Sequence, residues 1–352
     1  MSVEVQDEIL FEVRGEIGVV TLNRPKALNA LTHEMCVAFN EKLKEWAVDP
    51  GVQAVLVQGT GERAFCAGGD IVKLYNEGRA GSDYPLNFYR DEYYLNTTIR
   101  HFPKPYIALI DGIVMGGGVG VSVHGSHRVA TERTLFAMPE TGIGLFPDVG
   151  GSYFLPRLEG QLGMYLGLTG ARLKAGDSVY AGIAQVFVEA DRLPALTDSL
   201  TTRHFEGDVA AEIDAILKEF SRAAPSAPIA IERTLIDRHF AKGSVEEIVA
   251  SLESAGDDFS FLTASTLKTK SPTSLKLTHQ QLRRGLKLEF DDCMRMEFRM
   301  VSRVVKGTDF YEGTRATVID KDQTPAWNPA TLEEVSDAAI DAYFAPLEKE
   351  LY

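Results

Sequence analysis

A chain of 352 residues with 45% hydrophobic content and a formal net charge of −14 carries enough apolar material for a sizeable core, as one large domain or two ordinary ones. The acidic balance argues against sequence-independent nucleic-acid binding, which needs basic patches, and no run of about 18 uncharged apolar residues offers a helical membrane span. Three scattered cysteines, Cys36, Cys66 and Cys293, are too few for a disulfide framework or a thiolate metal site, and the seven histidines show no ligand-like pairing, so reduced packing thiols and no metal are expected.

The opening MSVEVQDEILFEV passes from acidic residues straight into a strand pattern. It has neither the basic-then-apolar order of a signal peptide nor the Arg-rich character of a transit peptide, so the expected location is cytoplasmic, or the mitochondrial matrix for a processed eukaryotic protein. Ile9 to Val13 and Val19 to Leu22 are β-like and flank Arg14 to Gly18, the pattern of a hairpin. Asn23-Arg24-Pro25 ends the second strand, and Thr32 starts an amphipathic helix through Trp46, with Met35, Phe39, Leu43 and Trp46 on one face. Ala54 to Val57 reads as a buried strand. It runs into a glycine-rich turn in which Gly68-Gly69 reverses the chain and Asp70 is placed to cap a helix from Ile71. The tyrosine- and charge-rich stretch up to Arg100 is expected to be helical from about Leu86, carrying Glu92.

Pro105 to Ile110 (PYIALI) reads as a further buried strand, and Gly116-Gly117-Gly118 then opens an expected helix through Val123. Glycines after a strand serve a tight turn or close helix packing. At a helix start they also leave backbone N–H groups without intrahelical partners at the positive end of the helix dipole, which suits an anion or a developing oxyanion. Downstream, Glu140 follows Met138-Pro139 and Asp148 follows Phe146-Pro147, both in apolar, loop-forming sequence. A carboxylate so placed is apt to have a shifted pKa and to do acid-base or nucleophilic work.

After Pro156 the character changes to helix, with only Gln185 to Val188 reading as a short strand. Lys276 to Lys306 places Leu282, Leu286, Phe290, Met294, Phe298 and Val301 on one stripe, expected as core or subunit contact, and Thr308 to Pro329 is turn-rich. The change of pattern puts a boundary near residue 200, dividing a core of residues 1–200 from a C-terminal helical region of residues 201–352.

Three ordered motifs, LNRPKALNAL (Leu22 to Leu31), GERAFCAGGDI (Gly61 to Ile71) and DGIVMGGGVGVS (Asp111 to Ser122), make the chain from about Ile9 to Pro194 resemble the crotonase (enoyl-CoA hydratase/isomerase) superfamily. Val121 to Leu158 and Asp309 to Pro329 look like its 3-hydroxyisobutyryl-CoA hydrolase branch, a likeness covering nearly the whole chain. The resemblance implies an α/β fold, a spiral of strand-strand-helix turns followed by a C-terminal helical region. It also implies an acyl-CoA substrate, with coenzyme A part of that substrate and no separate cofactor, and leaves the oligomeric state open between a homo-oligomer, as the trimers common among crotonases, and a chain whose C-terminal helical region covers the surfaces those trimers use.

By position, the resemblance makes Gly69 and Gly117 the backbone donors to the thioester oxygen. Hydratases of the superfamily use two glutamates; Gly120 stands where the first would be, while the second is Glu140. Asp148 stands where hydratases have glycine and the hydrolase branch has an acid, and Glu92 matches the branch's substrate-contacting glutamate. The substrate-binding set is thus Glu92, Gly117, Glu140 and Asp148. Arg24 and Lys26 match contacts on the nucleotide side of CoA, with Lys321 a further candidate. The implied reaction is hydrolysis of 3-hydroxyisobutyryl-CoA to 3-hydroxyisobutyrate and CoA, a step of valine degradation, with Glu140 as nucleophile or general base. Two alternatives stay open: an enoyl-CoA hydratase or isomerase using Glu140 alone, and a non-catalytic acyl-CoA binding protein.

Overall fold

The computed structural model describes residues 8–352. Among these residues ten strands form two sheets: β1 (Ile9–Arg14), β2 (Ile17–Leu22), β3 (Ala54–Gly59), β4 (Ala64–Cys66), β5 (Tyr106–Ile110), β6 (Ile113–Met115), β7 (His127–Ala130), β8 (Leu135–Ala137), β9 (Leu173–Lys174) and β10 (Val186–Phe187). The larger sheet runs β1-β2-β3-β5-β7-β10 and the smaller β4-β6-β8-β9. From β3 to β8 consecutive strands therefore alternate between the sheets, β3 then β4, β5 then β6, β7 then β8. This alternation is the expected spiral, each turn adding one strand to each sheet.

The hairpin is present with longer strands than its pattern suggested, Ile9 pairing with Leu22 and Arg14 with Ile17. From β2 through β10 the larger sheet is parallel. Parallel strands covered on both faces read as unbroken apolar runs rather than alternating ones, and all five residues of β5 are buried. The Thr32 hydroxyl accepts from the Met35 N–H at 3.2 Å, capping the helix His33–Val48, whose buried face is Met35, Cys36, Phe39, Leu43 and Trp46.

The chain divides into two compact units. One holds the described residues up to Gly69 with Tyr94–Phe136 and Leu173–Pro228; the other holds Asp70–Tyr93, Ala137–Arg172 and Ile229–Tyr352. This grouping interleaves along the chain, unlike the single cut near residue 200. The reason lies in one core: Leu196 and Leu200 of helix Leu193–Thr202, and Ile213, Ile216 and Leu217 of helix Val209–Phe220, pack together against Ile17, Val19, Leu56, Ile107 and Leu109 of the larger sheet. A helix that runs through residue 200 and the one that follows it thus share one layer.

The second unit is mainly helical. The stripe expected to run unbroken from Lys276 to Lys306 is two helices, Pro272–Gly285 and Phe290–Val304, and Leu286 in the break is 53% exposed rather than buried. A helix, Asp309–Thr314, opens the segment expected to be turn-rich throughout. No helix among the described residues is long and apolar enough to cross a membrane.

Candidate active site

In the first unit the two glycine-rich turns meet. The loop of residues 23–31 holds one of them through Asn29, which is fully buried with φ of 56°. Its amide nitrogen donates to the Thr60 and Ala64 carbonyls at 3.0 and 2.8 Å, and its amide oxygen accepts from the Arg24 N–H at 2.9 Å. The same loop pairs along the chain with the turn, Ala67 N–H donating to the Leu28 carbonyl at 3.0 Å and Leu31 N–H to the Gly68 carbonyl at 2.8 Å. Buried amide-to-backbone bonds of this kind fix a turn that has no regular structure of its own.

The second turn is shorter than expected. The helix covers only Gly117–Gly120, with turns continuing to Val123, because consecutive glycines have poor helix propensity. It is anchored by the Tyr106 hydroxyl donating to the Val121 carbonyl at 2.7 Å and the Ser122 hydroxyl donating to the Gly118 carbonyl at 2.8 Å. Gly68 has φ of 116°, and a Cβ there would lie 3.3 Å from the Met115 carbonyl oxygen and 3.7 Å from the Gly117 nitrogen. Glycine permits both the backbone angle and the approach. The backbone bonds of the turns run from Leu31 N–H to Gly68 and from Val119 and Gly120 N–H to Gly116. The Gly117 carbonyl accepts from Val121 N–H at 3.0 Å, and the N–H groups of Gly69 and Gly117 are not donors in these bonds.

In the second unit the expected acids come together with three residues not singled out from the sequence, Tyr89, Tyr93 and Glu297. Glu92 stands on the helix Tyr84–Arg100, Glu140 opens the short helix Glu140–Ile143, and Asp148 lies in the loop after Pro147; all three are buried. Tyr93 donates its hydroxyl to Asp148 at 2.9 Å. The Glu297 carboxylate, from helix Phe290–Val304, accepts from the Gly150 and Ser152 N–H groups, both at 2.8 Å.

Burial governs the charges of this cluster. It pushes the Asp148 carboxyl up to about 7 against the pull of the Tyr93 hydrogen bond, and the Glu297 carboxyl up to about 8 against its two amide bonds. Glu140 is held well above the ordinary carboxylate range by burial and then by the Asp148 charge, and Glu92 by burial and then by Asp148, Glu140 and Glu297. Oε1 of Glu92, Oε2 of Glu140 and the Tyr89 hydroxyl are buried without a partner. Unpaired buried polar atoms are costly and concentrate where chemistry or binding needs them.

Signals for the missed residues exist in the sequence. Tyr89, Glu92 and Tyr93 lie at i, i+3 and i+4, one face of a helix. Glu297 falls on the apolar stripe three residues after Met294 and four before Val301, a position where an acid breaks the pattern.

A family model described as enoyl-CoA hydratase/isomerase matches residues 17–344. The chain belongs to that family. It is 49% identical to "3-hydroxyisobutyryl-CoA hydrolase, mitochondrial" of Danio rerio, over 99% of this chain and 92% of that protein. It is 44% identical to the protein of the same name from Homo sapiens, over 98% and 90% respectively. Among family structures, a carnitinyl-CoA dehydratase from Mycobacterium thermoresistibile superposes with a TM-score of 0.92 at 41% identity, covering 98% of each chain. An enoyl-CoA hydratase from Rhodobacter sphaeroides superposes at 0.88 with 38% identity, covering 97% of this chain and 98% of that one.

The cations expected on the nucleotide side are differently placed. The Arg24 guanidinium already pairs with Glu8 at 3.0 Å and donates to the Ala30 carbonyl at 2.6 Å, which ties it to the family motif's own loop. Lys26 and Lys321 are exposed.

Proposed function

We propose that the chain hydrolyses the thioester of a short 3-hydroxyacyl-CoA, with 3-hydroxyisobutyryl-CoA as the substrate that the names of its relatives favour. Coenzyme A enters as part of the substrate. The observation that carries the reading is the buried pair Glu140 and Asp148, each with its carboxyl pushed upward, together with Gly120 where two-glutamate hydratases carry an acid. Adding water across a double bond by the two-glutamate route lacks its second acid here, whereas thioester hydrolysis needs one group to deliver the attack and another to orient.

In this reading the thioester oxygen accepts from the Gly69 and Gly117 amides. One fixed donor to a developing oxyanion is typically worth about 2.7–4 kcal/mol. Glu140, deprotonated, acts at the carbonyl carbon, either attacking it to give a mixed anhydride that water then opens, or drawing a proton from an attacking water. CoA leaves as the thiol and the acid is released. Asp148, steadied by Tyr93, accepts from the 3-hydroxyl, and Glu92 contacts the same end of the acyl group. Lys26 meets the phosphates of CoA, with Lys321 a further candidate cation, while Arg24 supports the loop that carries Lys26. The three buried cysteines suit a reducing compartment, cytoplasm or mitochondrial matrix.

The names of the two similar solved structures, a dehydratase and a hydratase, favour a second reading, hydration or dehydration of the same class of ester. A panel of hydroxyacyl- and enoyl-CoA esters separates the two: thiol release from 3-hydroxyisobutyryl-CoA, far above crotonyl-CoA hydration, is expected. Glu140→Gln should lower that thiol release by about a thousandfold while the fold stays intact. Near-native kcat in that variant would sink the mechanism, and hydration outrunning thiol release would sink the reaction.

A further inference from the structure

Glu297 is the member of the acid cluster that the proposed chemistry leaves unused, yet it is fully buried and its two oxygens each take one backbone amide. Those amides, of Gly150 and Ser152, belong to the turn that directly follows Asp148. The turn is not one the chain would keep unaided. Val149 has φ of 52°, a left-handed angle that a β-branched residue avoids, and Gly150 follows at 87°. Successive N–H groups in such backbone form a concave anion-binding nest, and the Glu297 carboxylate fills it. Inside the turn, Gly151 N–H donates to the Asp148 carbonyl at 2.8 Å. From the preceding helix, Pro272–Gly285, the Gln281 amide donates to the Pro147 carbonyl at 2.5 Å and to the Ser152 hydroxyl at 2.8 Å. Side chains from two successive helices therefore bracket the residues before and after Asp148.

Stability alone does not account for an acid here. Burying a carboxylate near Asp148 costs desolvation and adds repulsion, and a well-packed apolar side chain at such a site is commonly neutral or stabilising. What an apolar residue lacks is a pair of acceptors spaced for two amides. We infer that Glu297 is a positioning residue for the hydrolysis: by gripping the Gly150 and Ser152 amides it holds the Val149 turn, and with it the Asp148 carboxylate, where the substrate's 3-hydroxyl is read. This rests on the role proposed for Asp148.

The test compares kcat and KM on 3-hydroxyisobutyryl-CoA and on isobutyryl-CoA, which lacks the 3-hydroxyl, for the full chain, Asp148→Asn, Glu297→Gln and the double variant. Gln offers one acceptor and turns an N–H₂ toward the second amide, so the turn loses half its grip at almost unchanged volume. Glu297→Gln should lower kcat on the hydroxylated ester by roughly ten- to a hundredfold, with isobutyryl-CoA much less affected and KM little changed. In the Asp148→Asn background the further loss should be under about twofold, because coupled groups are non-additive. Equal losses on both esters, or full additivity with Asp148→Asn, would overturn the inference while leaving the role of Asp148 in place. Unchanged preference in Asp148→Asn itself would overturn that role and the inference together. Should Glu297→Gln fail to fold, Glu297→Asp keeps the carboxyl group but is one methylene short of the two amides, and the same ratio of esters decides.

Discussion

The Tyr93 hydroxyl donates to Oδ2 of Asp148 at 2.9 Å, a buried bond between a helix residue and a loop residue 55 positions later. It stabilises the carboxylate form of a group that burial otherwise drives toward the neutral acid.

Removing that donor should raise the Asp148 carboxyl further above its value of about 7. The carboxylate is the form present above the pKa, so in Tyr93→Phe the acidic limb of the kcat/KM profile should move to higher pH. A hydrogen bond to a charged group is worth roughly 1.5–3 kcal/mol, or about one to two pH units. Activity at pH 7 should then fall about tenfold or more and recover in part near pH 9. A pH–rate profile of the two proteins checks this, and an unmoved limb would count against Asp148 as the titrating group.

The same elevation links stability to pH. A carboxyl whose folded pKa lies above its unfolded value contributes stability that is complete below the unfolded value and lost as pH rises through the folded one. For Asp148 that window runs from its ordinary value of 3.8 to about 7. Asp148→Asn carries no such penalty, so its melting temperature relative to the parent should be higher at pH 8 than at pH 5. Thermal melts at both values decide, and a difference independent of pH would contradict the burial of a charged Asp148.

Gly118 packs so closely that a Cβ would run into the Cys66 carbonyl, which is backbone and cannot swing away. Gly118→Ala must therefore push apart the two turns that carry Gly69 and Gly117. A loss of about 2–4 kcal/mol in unfolding free energy is expected, with kcat reduced in whatever fraction still folds. Denaturant titration and thiol release measure the two effects, and a variant of full stability and full kcat would refute the close packing.

Lys26 is exposed while Arg24 is engaged by Glu8 and Ala30. Charge reversal in Lys26→Glu should raise KM for acyl-CoA about tenfold and leave kcat within about twofold, the mark of binding shared by ground and transition states. Arg24→Ala should instead lower the melting temperature, since it strips a carbonyl and a carboxylate of their partner. Steady-state kinetics at two salt concentrations and a thermal melt distinguish the cases. A Lys26→Glu enzyme with unchanged KM would remove that residue from the CoA site.

The local elements were legible because their causes are local. The hairpin of β1 and β2, the Thr32-capped helix, the strand Tyr106–Ile110 and the Asp70 cap, which accepts from Lys73 N–H at 3.1 Å, each follow from periodicity and capping within a few residues. Glu140 and Asp148 stood out by residue type, as acids among prolines, glycines and apolar residues, and Glu92 through the family likeness. The tertiary structure alone decided what those acids face. Tyr93 reaches Asp148 across 55 positions, and Glu297 reaches the turn after Asp148 across 147 and 145. It also decided that a helix running through residue 200 and the helix after it share a core with strands begun at Ile17, and that the long apolar stripe breaks at Leu286. Periodicity records which face of an element is buried. It carries no record of which distant backbone amides or hydroxyls will meet that face, because those pairings are set by chain topology and by the cost of leaving buried polar groups unpaired.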